Sequence, residues 1–279
     1  MKTQTFEDLS PLWPLTEISR PPKPVYYRGC SNVWTLPRIA LIGSRRPSSY
    51  SKRAAYCLGR SLANSGFCVV SGLATGIDRC AHEAAMAAGG MTVAVLGHGL
   101  NHCYPRAHWE LRERIEKQGG CLSEYEDSTP ALPWRFAERN RLIAGLCQVV
   151  IVVEAGERSG SLITAQFALD EGREVWVVPG PFDEQRYAGS HRLINDGAKL
   201  LTEDFTRIET PSLTPVAAWF HEPESTFQAL WERSGLEVSR VWEELERAKQ
   251  NEWVVELAPH RYLWLGLSRD EGSDRSEVK

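Results

Sequence analysis

The stretch Arg38-Ile-Ala-Leu-Ile-Gly-Ser-Arg-Arg-Pro-Ser-Ser49 joins three things in twelve residues. An apolar run, Ile39 to Ile42, ends abruptly in Gly43-Ser44-Arg45-Arg46-Pro47, and a helical pattern begins near Tyr50. This is the strand, tight loop and helix entry of a Rossmann-like unit. Gly43 lets the backbone approach a ligand, Ser44 offers a hydroxyl, and the helix that follows turns unpaired N–H groups toward an anion. Two adjacent arginines suit phosphate oxygens or a planar base better than a neutral metabolite. One such loop is equally compatible with an ordinary turn carrying solvated arginines.

Outward from this loop, short apolar runs alternate with helical segments. The runs are Ile39–Ile42, Phe67–Val70, Thr92–Leu96, Gly120–Leu122, Val149–Val153 and Glu174–Val178. Helices are expected near Tyr50–Ser65, Ile77–Ala88, Arg106–Gln118, Trp134–Leu146 and Ser161–Glu171. Continuously apolar strands separated by helices imply an α/β fold, a Rossmann-like parallel sheet covered on both faces, with right-handed crossovers.

Ligands of such a sheet bind beyond the carboxyl ends of its strands, so the loops there are read together. They are Ser71-Gly-Leu-Ala-Thr-Gly-Ile-Asp78, Leu96-Gly-His-Gly-Leu-Asn-His-Cys-Tyr-Pro-Arg106, Glu154-Ala-Gly-Glu-Arg-Ser-Gly-Ser-Leu-Ile-Thr164 and Pro179-Gly-Pro181. Glycine-bearing loops at one edge, with Arg45, Arg46 and Arg106 among them, point to a phosphorylated or polyanionic ligand. Asp78 and His82, four apart, share a helix face. A helix-start carboxylate with a hydrogen-bonded histidine behind it is the better reading of that pair than an acid/base couple. Ser71, Ser159 and Ser161 lie in no Gly-x-Ser-x-Gly elbow, and no Walker lysine or complete dinucleotide fingerprint is present.

The segment Trp134-Arg-Phe-Ala-Glu-Arg-Asn-Arg141 interleaves aromatics with Arg135, Arg139 and Arg141. Arginines beside a ring on which a base can stack are the ingredients of single-strand binding. At least one of Arg139 and Arg141 is also a candidate for a purely structural pairing with Glu138, Glu124 or Glu154.

The chain has 279 residues, 42% hydrophobic and 24% charged, with a formal net charge of −4. That is the composition of a soluble globular protein, and any basic binding surface must be local. Seven scattered cysteines without a Cys-x-x-Cys pair read as reduced cytoplasmic thiols, and no metal site or cofactor is expected. No apolar run approaches the roughly 18 residues of a membrane span. Residues 1–35 read as a proline-rich arm with Pro24–Tyr27 as a candidate edge strand, and 206–224 as a linker. Within 225–266, helices at Thr226–Ser234 and Val238–Gln250 and strands at Trp253–Leu257 and Tyr262–Trp264 suggest a small winged-helix-like domain. Glu243, Glu244 and Glu246 on its second helix argue for a partner-binding or structural role rather than groove insertion. Residues 267–279 read as a disordered tail.

Taken together, the motifs resemble the DNA-processing protein A family (DprA, also called Smf). The matching pieces are Ile42-Gly-Ser-Arg45, Ser71-Gly-Leu-Ala-x-Gly-Ile-Asp78 with Ala81-His82, Val95-Leu-Gly-x-Gly-Leu100 and Tyr104-Pro105. They continue through Ser123-Glu124, Phe136-x-x-Arg-Asn-Arg141, Glu154-Ala155, Ser159-Gly-Ser-Leu-Ile-Thr-Ala165, Val178-Pro-Gly180 and Leu193-Ile-x-x-Gly-Ala198. The resemblance covers about Pro21 to Thr202 in order. It implies a non-enzymatic, dimeric, single-stranded-DNA-binding protein that protects incoming strands and helps load the RecA recombinase in natural transformation. Residues 36–205 would then be the DNA-binding domain. The family's strand pocket maps onto Gly43, Ser44, Arg45, Arg46, Arg106, Phe136 and Arg139, and its dimer surface onto Leu169, His191, Ile194 and Leu200. Departures include Ser51, Asn101 and His108, and Glu126-Asp127, which is expected to add acidic charge at the pocket rim. The rival class is a phosphoribohydrolase-like enzyme acting on a nucleotide; it needs a Pro-Gly-Gly-x-Gly-Thr-x-x-Glu motif that is missing here.

Overall fold

Every residue of Arg38–Ile42 is buried, as a strand covered on both faces must be, and this strand (β3) stands at the centre of the sheet in the computed structural model. The structure describes residues 2–6, 12, 15–22, 24–202, 224–234, 241–242, 245–246, 249, 254–258 and 260–264. The chain divides into two compact units, Met1–Glu209 and Thr210–Lys279.

The first unit is built on a nine-stranded sheet. Its strands are β1 (Gln4–Phe6), β2 (Val25–Gly29), β3, β4 (Cys68–Ser71), β5 (Thr92–Leu96), β6 (Gly120–Ser123), β7 (Val149–Val152), β8 (Glu174–Val177) and β9 (Lys199–Leu200). Their spatial order is β1-β2-β6-β5-β4-β3-β7-β8-β9, parallel from β6 through β9. The chain therefore runs outward from β3 in one direction through β4, β5 and β6, then returns to the other side of β3 with β7. The switch point lies between β3 and β7, and a crevice opens there at the strands' carboxyl ends. Helices α1 (Ser49–Asn64), α2 (Ile77–Ala87), α3 (Trp109–Gln118), α4 (Pro133–Gly145), α5 (Gly160–Asp170) and α6 (Ala188–Asn195) complete the unit.

The six apolar runs read from sequence are six of these strands, shifted by a residue at most. Two features differ. Arg106–His108 forms a separate 3-10 turn before α3, because Pro105 precedes it and His108 Nδ1 is held 2.9 Å from the Leu73 carbonyl oxygen. The proline-rich arm also joins the sheet: β2 pairs antiparallel with β6 on one side and with β1 on the other. Pro24–Tyr27 thus begins an interior strand, and Gln4–Phe6 is the edge. Alternation explains it, since Val25 and Tyr27 are fully buried while Tyr26 and Arg28 point to the opposite face. The Tyr27 hydroxyl donates toward the carbonyls of Cys30 (2.8 Å) and Gly119 (3.0 Å), and its ring lies edge-on to Trp34 at 4.8 Å. Burying such a side chain is worth roughly 1.5–3 kcal/mol. Leu15 and Ile18 pack onto Gly145 at the end of α4, tying the segment down again.

The second unit has a three-stranded antiparallel sheet, β10 (Glu224–Thr226), β12 (Arg261–Trp264) and β11 (Val254–Ala258) in that order, with α7 (Phe227–Ser234). Val241, Trp242, Leu245, Glu246 and Lys249 are helical. A small core joins Leu230, Val241, Leu245, Val254 and Tyr262, with Phe227 and Trp242 stacked at 4.4 Å against it. The expected linker (apart from Glu224), Glu243, Glu244 and the tail lie outside the described residues. No helix among the described residues is long and apolar enough to cross a membrane.

Candidate anion-binding site at the sheet switch point

The loop after β3 is fixed by backbone bonds to its neighbours on both sides. Ser44 N–H donates to the Glu154 carbonyl (2.8 Å), and Ile77 N–H donates to the Ser44 carbonyl (3.1 Å). A Cβ on Gly43 would lie 2.8 Å from Ile77 Cγ1 and 3.1 Å from the Glu154 carbonyl oxygen, so glycine is required by close approach. Ser48 caps α1, accepting from Ser51 N–H at 3.0 Å, and its own N–H donates to the Glu154 carboxylate at 2.9 Å. Glu154 is buried, so this acid is spent on the loop.

A third hydroxyl completes that corner. Tyr187 is buried, and its hydroxyl lies 2.8 Å from Ser48 Oγ and 2.9 Å from Ser51 Oγ. Ser190 Oγ accepts from Ala155 N–H (2.9 Å). The turn Gln185–Tyr187 and α6 thereby brace both loops of the crevice. Removing one hydroxyl with Tyr187→Phe is expected to cost about 1 kcal/mol. That is roughly 2–4 °C in melting temperature for a unit of this size. An unchanged thermal melt would show that the hydroxyl cluster contributes nothing.

The crevice is a cavity of about 780 Å3. Arg45, Arg46, Arg158 and Arg186 line it, together with Phe136, Arg139 and Asn140 of α4. Among the described residues its lining holds five arginines against two carboxylates, Asp78 and Glu154, both buried. Arg45, Arg46 and Arg158 have no ion-pair partner among the described residues, whereas Arg186 pairs with Glu184 at 3.0 Å. Ser159 caps α5, its hydroxyl 2.7 Å from Ser161 Oγ, so the helix N-terminus opens into the same cavity.

A smaller adjoining cavity of about 90 Å3 is lined by Gly72, Tyr104, Pro105, Phe136 and both Arg45 and Arg139. Phe136 lies tilted against Tyr104 at 5.1 Å and edge-on to His98 at 6.4 Å. Tyr104 and Trp134 are half exposed, and the Arg135 guanidinium sits over both Trp134 (5.1 Å) and Tyr125 (4.8 Å). Phe136 and the half-exposed Tyr104 thus sit beside a cationic cavity.

The structure brings Gly43, Ser44, Arg45, Arg46, Phe136 and Arg139 to one place. Arg139 does a different job from the others. It is buried, and Nη1 donates to the Gly72 carbonyl (2.8 Å) and to the Val95 carbonyl. Its guanidinium lies where a Gly72 Cβ would be, 2.6 Å away, so Gly72 and Arg139 fit only as a pair. Arg139 is the floor of the pocket. Arg141 is bonded to Glu124 and to the Arg20 carbonyl, so both of these arginines are structural. Arg106 is exposed behind Tyr104-Pro105 and lines neither cavity.

Asp78 accepts from the N–H groups of Gly72 and Ala74, each at 3.2 Å. Burial raises its carboxyl above the ordinary value against the pull of Arg139, and lowers the Arg139 guanidinium to about 10. His82 is fully buried with Nδ1 2.7 Å from Thr92 Oγ1, and burial pushes it down to about 3. The pair is a capped, neutral-histidine arrangement rather than an acid/base couple. Ser71 and Ser123 donate to the carbonyls of Leu41 and His98, both at 2.8 Å. Glu126 and Asp127 line neither cavity; Asp127 is held by Arg28 (3.1 Å) and Thr3 (2.8 Å), so the expected acidic rim is absent among the described residues. Arg158 belongs to one of the glycine-bearing loops that the sequence places at the ligand edge of the sheet. Arg186 was not foreseen, because the turn that carries it has no periodic signal.

Leu169 and Leu200 are about half exposed, and His191 and Ile194 are part-buried on α6, with His191 Nε2 3.2 Å from the Gly180 carbonyl oxygen. β9 is the outer strand of the sheet on this side.

A Rossmann-like sheet whose switch point opens into an arginine-lined cavity has the make-up of an anion site. Comparison with known proteins narrows that class. A sequence model of the family "DNA recombination-mediator protein A" matches residues 4–210. DNA processing protein DprA of Streptococcus pneumoniae is 43% identical over 190 residues, 68% of this chain and 67% of that protein. Protein Smf of Escherichia coli is 47% identical over 167 residues, 60% of this chain but only 45% of Smf. The X-ray structure of the S. pneumoniae protein superposes with a TM-score of 0.69 at 42% identity, covering 72% of each chain. DNA processing protein A from Helicobacter pylori gives a TM-score of 0.65 at 32% identity, covering 72% of this chain and 91% of that one. That protein's structure is described as revealing a unique single-stranded DNA binding mode. The chain belongs to the DNA recombination-mediator protein A family. Membership places it among recombination mediators rather than enzymes.

Proposed function

We propose that the switch-point cavity binds single-stranded DNA and that the chain acts as a recombination mediator in natural transformation or recombination. The observation that carries this reading is the cavity itself, with five arginines in its lining and Phe136 and the half-exposed Tyr104 beside them. Arg45 and Arg46 hold backbone phosphates, and Gly43 and Ser44 shape the loop that presents them. Phe136 offers a base a ring, and Arg139 supports the floor beneath it. Arg106 reaches a phosphate at the outer side of Tyr104. Stacking and phosphate contacts tolerate any base, so sequence preference is slight.

The same reading extends to the assembly. Leu169, His191, Ile194 and Leu200 form the surface on which two copies meet in the cytoplasm, placing two cavities on one strand and raising avidity through effective concentration. The dimer protects the strand and hands it to the RecA recombinase. The second unit, with its strand, helix, helical segment and hairpin order, serves as a winged-helix-like partner-binding module. An aspartate at Ile194 would bury a charge in an apolar contact, which costs several kcal/mol unless paired. Ile194→Asp is therefore expected to sediment as a monomer; a dimer that survives it would place the interface elsewhere.

Fluorescence anisotropy with a labelled single strand and its duplex, at two salt concentrations, tests the function. Tight single-strand binding that weakens with salt, against weak duplex binding, is expected. Equal, feeble binding to both would assign the cavity to a smaller phosphorylated ligand.

A further inference from the structure

Helix α1 leaves the Arg45-Arg46 loop and carries a second cationic surface outside the cavity. Its sixteen residues, Ser49–Asn64, contain Lys52, Arg53 and Arg60 and no acid. All three cations are exposed, as is Tyr56, while Ala55, Leu58 and Leu62 on the opposite face are buried. At 100° per residue, Arg53, Tyr56 and Arg60 fall on one face, with Lys52 one turn before Tyr56. The aromatic ring therefore stands between cations one turn away on each side. None of Lys52, Arg53 and Arg60 has an ion-pair partner among the described residues. Glu83, on the neighbouring helix α2, is engaged by Arg79 at 2.9 Å. In a chain of net charge −4, an acid-free helix with its cations left open is a local electrostatic feature rather than a reflection of composition.

We propose that the exposed face of α1 is a track for the same single strand as it leaves the cavity. Arg53, with Lys52 beside it, and Arg60 hold backbone phosphates about three nucleotides apart, and Tyr56 stacks a base between them. Arg53 and Arg60 lie about 10 Å apart along the axis, from a rise of about 1.5 Å per residue. At about 3.4 Å per nucleotide of a stacked strand, that distance spans roughly three phosphates. The path is continuous, because the N-terminus of α1 is the end of the loop that carries Arg45 and Arg46. The track rests on the reading of the cavity as a single-strand site.

The test compares oligothymidylates of about six and about fifteen nucleotides, the first long enough for the cavity alone and the second for cavity plus track. The double variant Arg53→Glu/Arg60→Glu, altered only at exposed positions, is expected to bind the short strand within twofold of the unaltered protein. Its affinity for the long strand is expected to fall tenfold or more. The slope of log affinity against log salt should flatten by about 1.4, two phosphates at about 0.7 each. Tyr56→Ala should weaken the long strand while leaving the salt slope unchanged, as loss of stacking does. Unchanged long-strand affinity in the double variant overturns the track, and so does an equal loss for both lengths, which would mean that α1 acts on the cavity. If the unaltered protein fails to hold the short strand, the cavity reading fails, and the track that continues from it is overturned with it.

Discussion

Arg139→Met lowers the stability of the Met1–Glu209 unit by about 2–4 kcal/mol, the range for stripping donors from buried acceptors and a countercharge from a buried acid. The Gly72 and Val95 carbonyls lose their guanidinium donor, and Asp78 loses the cation that offsets its desolvation. Methionine fills part of the volume but donates nothing. Urea unfolding of the variant should show a lower midpoint with an unchanged slope, the sign of lost stability without a changed denatured state. The double variant Asp78→Asn/Arg139→Met should recover part of the loss, because the uncompensated carboxyl is gone. A loss below about 1 kcal/mol would mean that Arg139 is a free binding arginine and not the floor of the pocket.

The second large effect separates binding from folding. Arg46 is exposed on the cavity wall, so Arg46→Glu should leave stability within about 0.5 kcal/mol. Single-strand affinity should fall tenfold or more, beyond the roughly 1 kcal/mol of one screened surface contact, since the change inverts a charge where the proposed site takes phosphates. The salt slope should flatten by about 0.7 for the lost contact. Anisotropy on a variant shown folded by circular dichroism reads all of this. Unchanged affinity would remove the loop from the site. The two arginines, both assigned to the pocket on sequence grounds, thus have opposite signatures: Arg46 costs affinity and Arg139 costs the fold.

That contrast shows what sequence can and cannot convey. The parallel strands were legible because burial on both faces leaves a continuous apolar run, as in Val149–Val152 and Thr92–Leu96. The loops at their carboxyl ends followed from the topology rule, and their glycines and arginines stood out as residues. Division of labour among arginines was not legible. Whether a guanidinium faces solvent or a pair of carbonyls depends on packing from Gly72 and Val95, far away in sequence. β9 carries no periodic signal, because a two-residue exposed edge strand needs none. α6 was missed for a related reason: eight residues with only Leu193 and Ile194 as large apolar side chains show little pattern. Its contribution to the cavity, through Tyr187 and Arg186 in the turn before it, was invisible for the same cause. The arm was read from its prolines, yet what places it is the alternation of Val25 and Tyr27 and the fit of Leu15 and Ile18 on Gly145.

The most direct test of the central claim is a crystal structure of the protein with a short oligothymidylate. The expected result is a phosphate within hydrogen-bond distance of the Arg45 or Arg46 guanidinium and a base against Phe136, with Arg139 still bonded beneath them. A strand bound outside the cavity, with the Arg45-Arg46 loop untouched, would contradict the account.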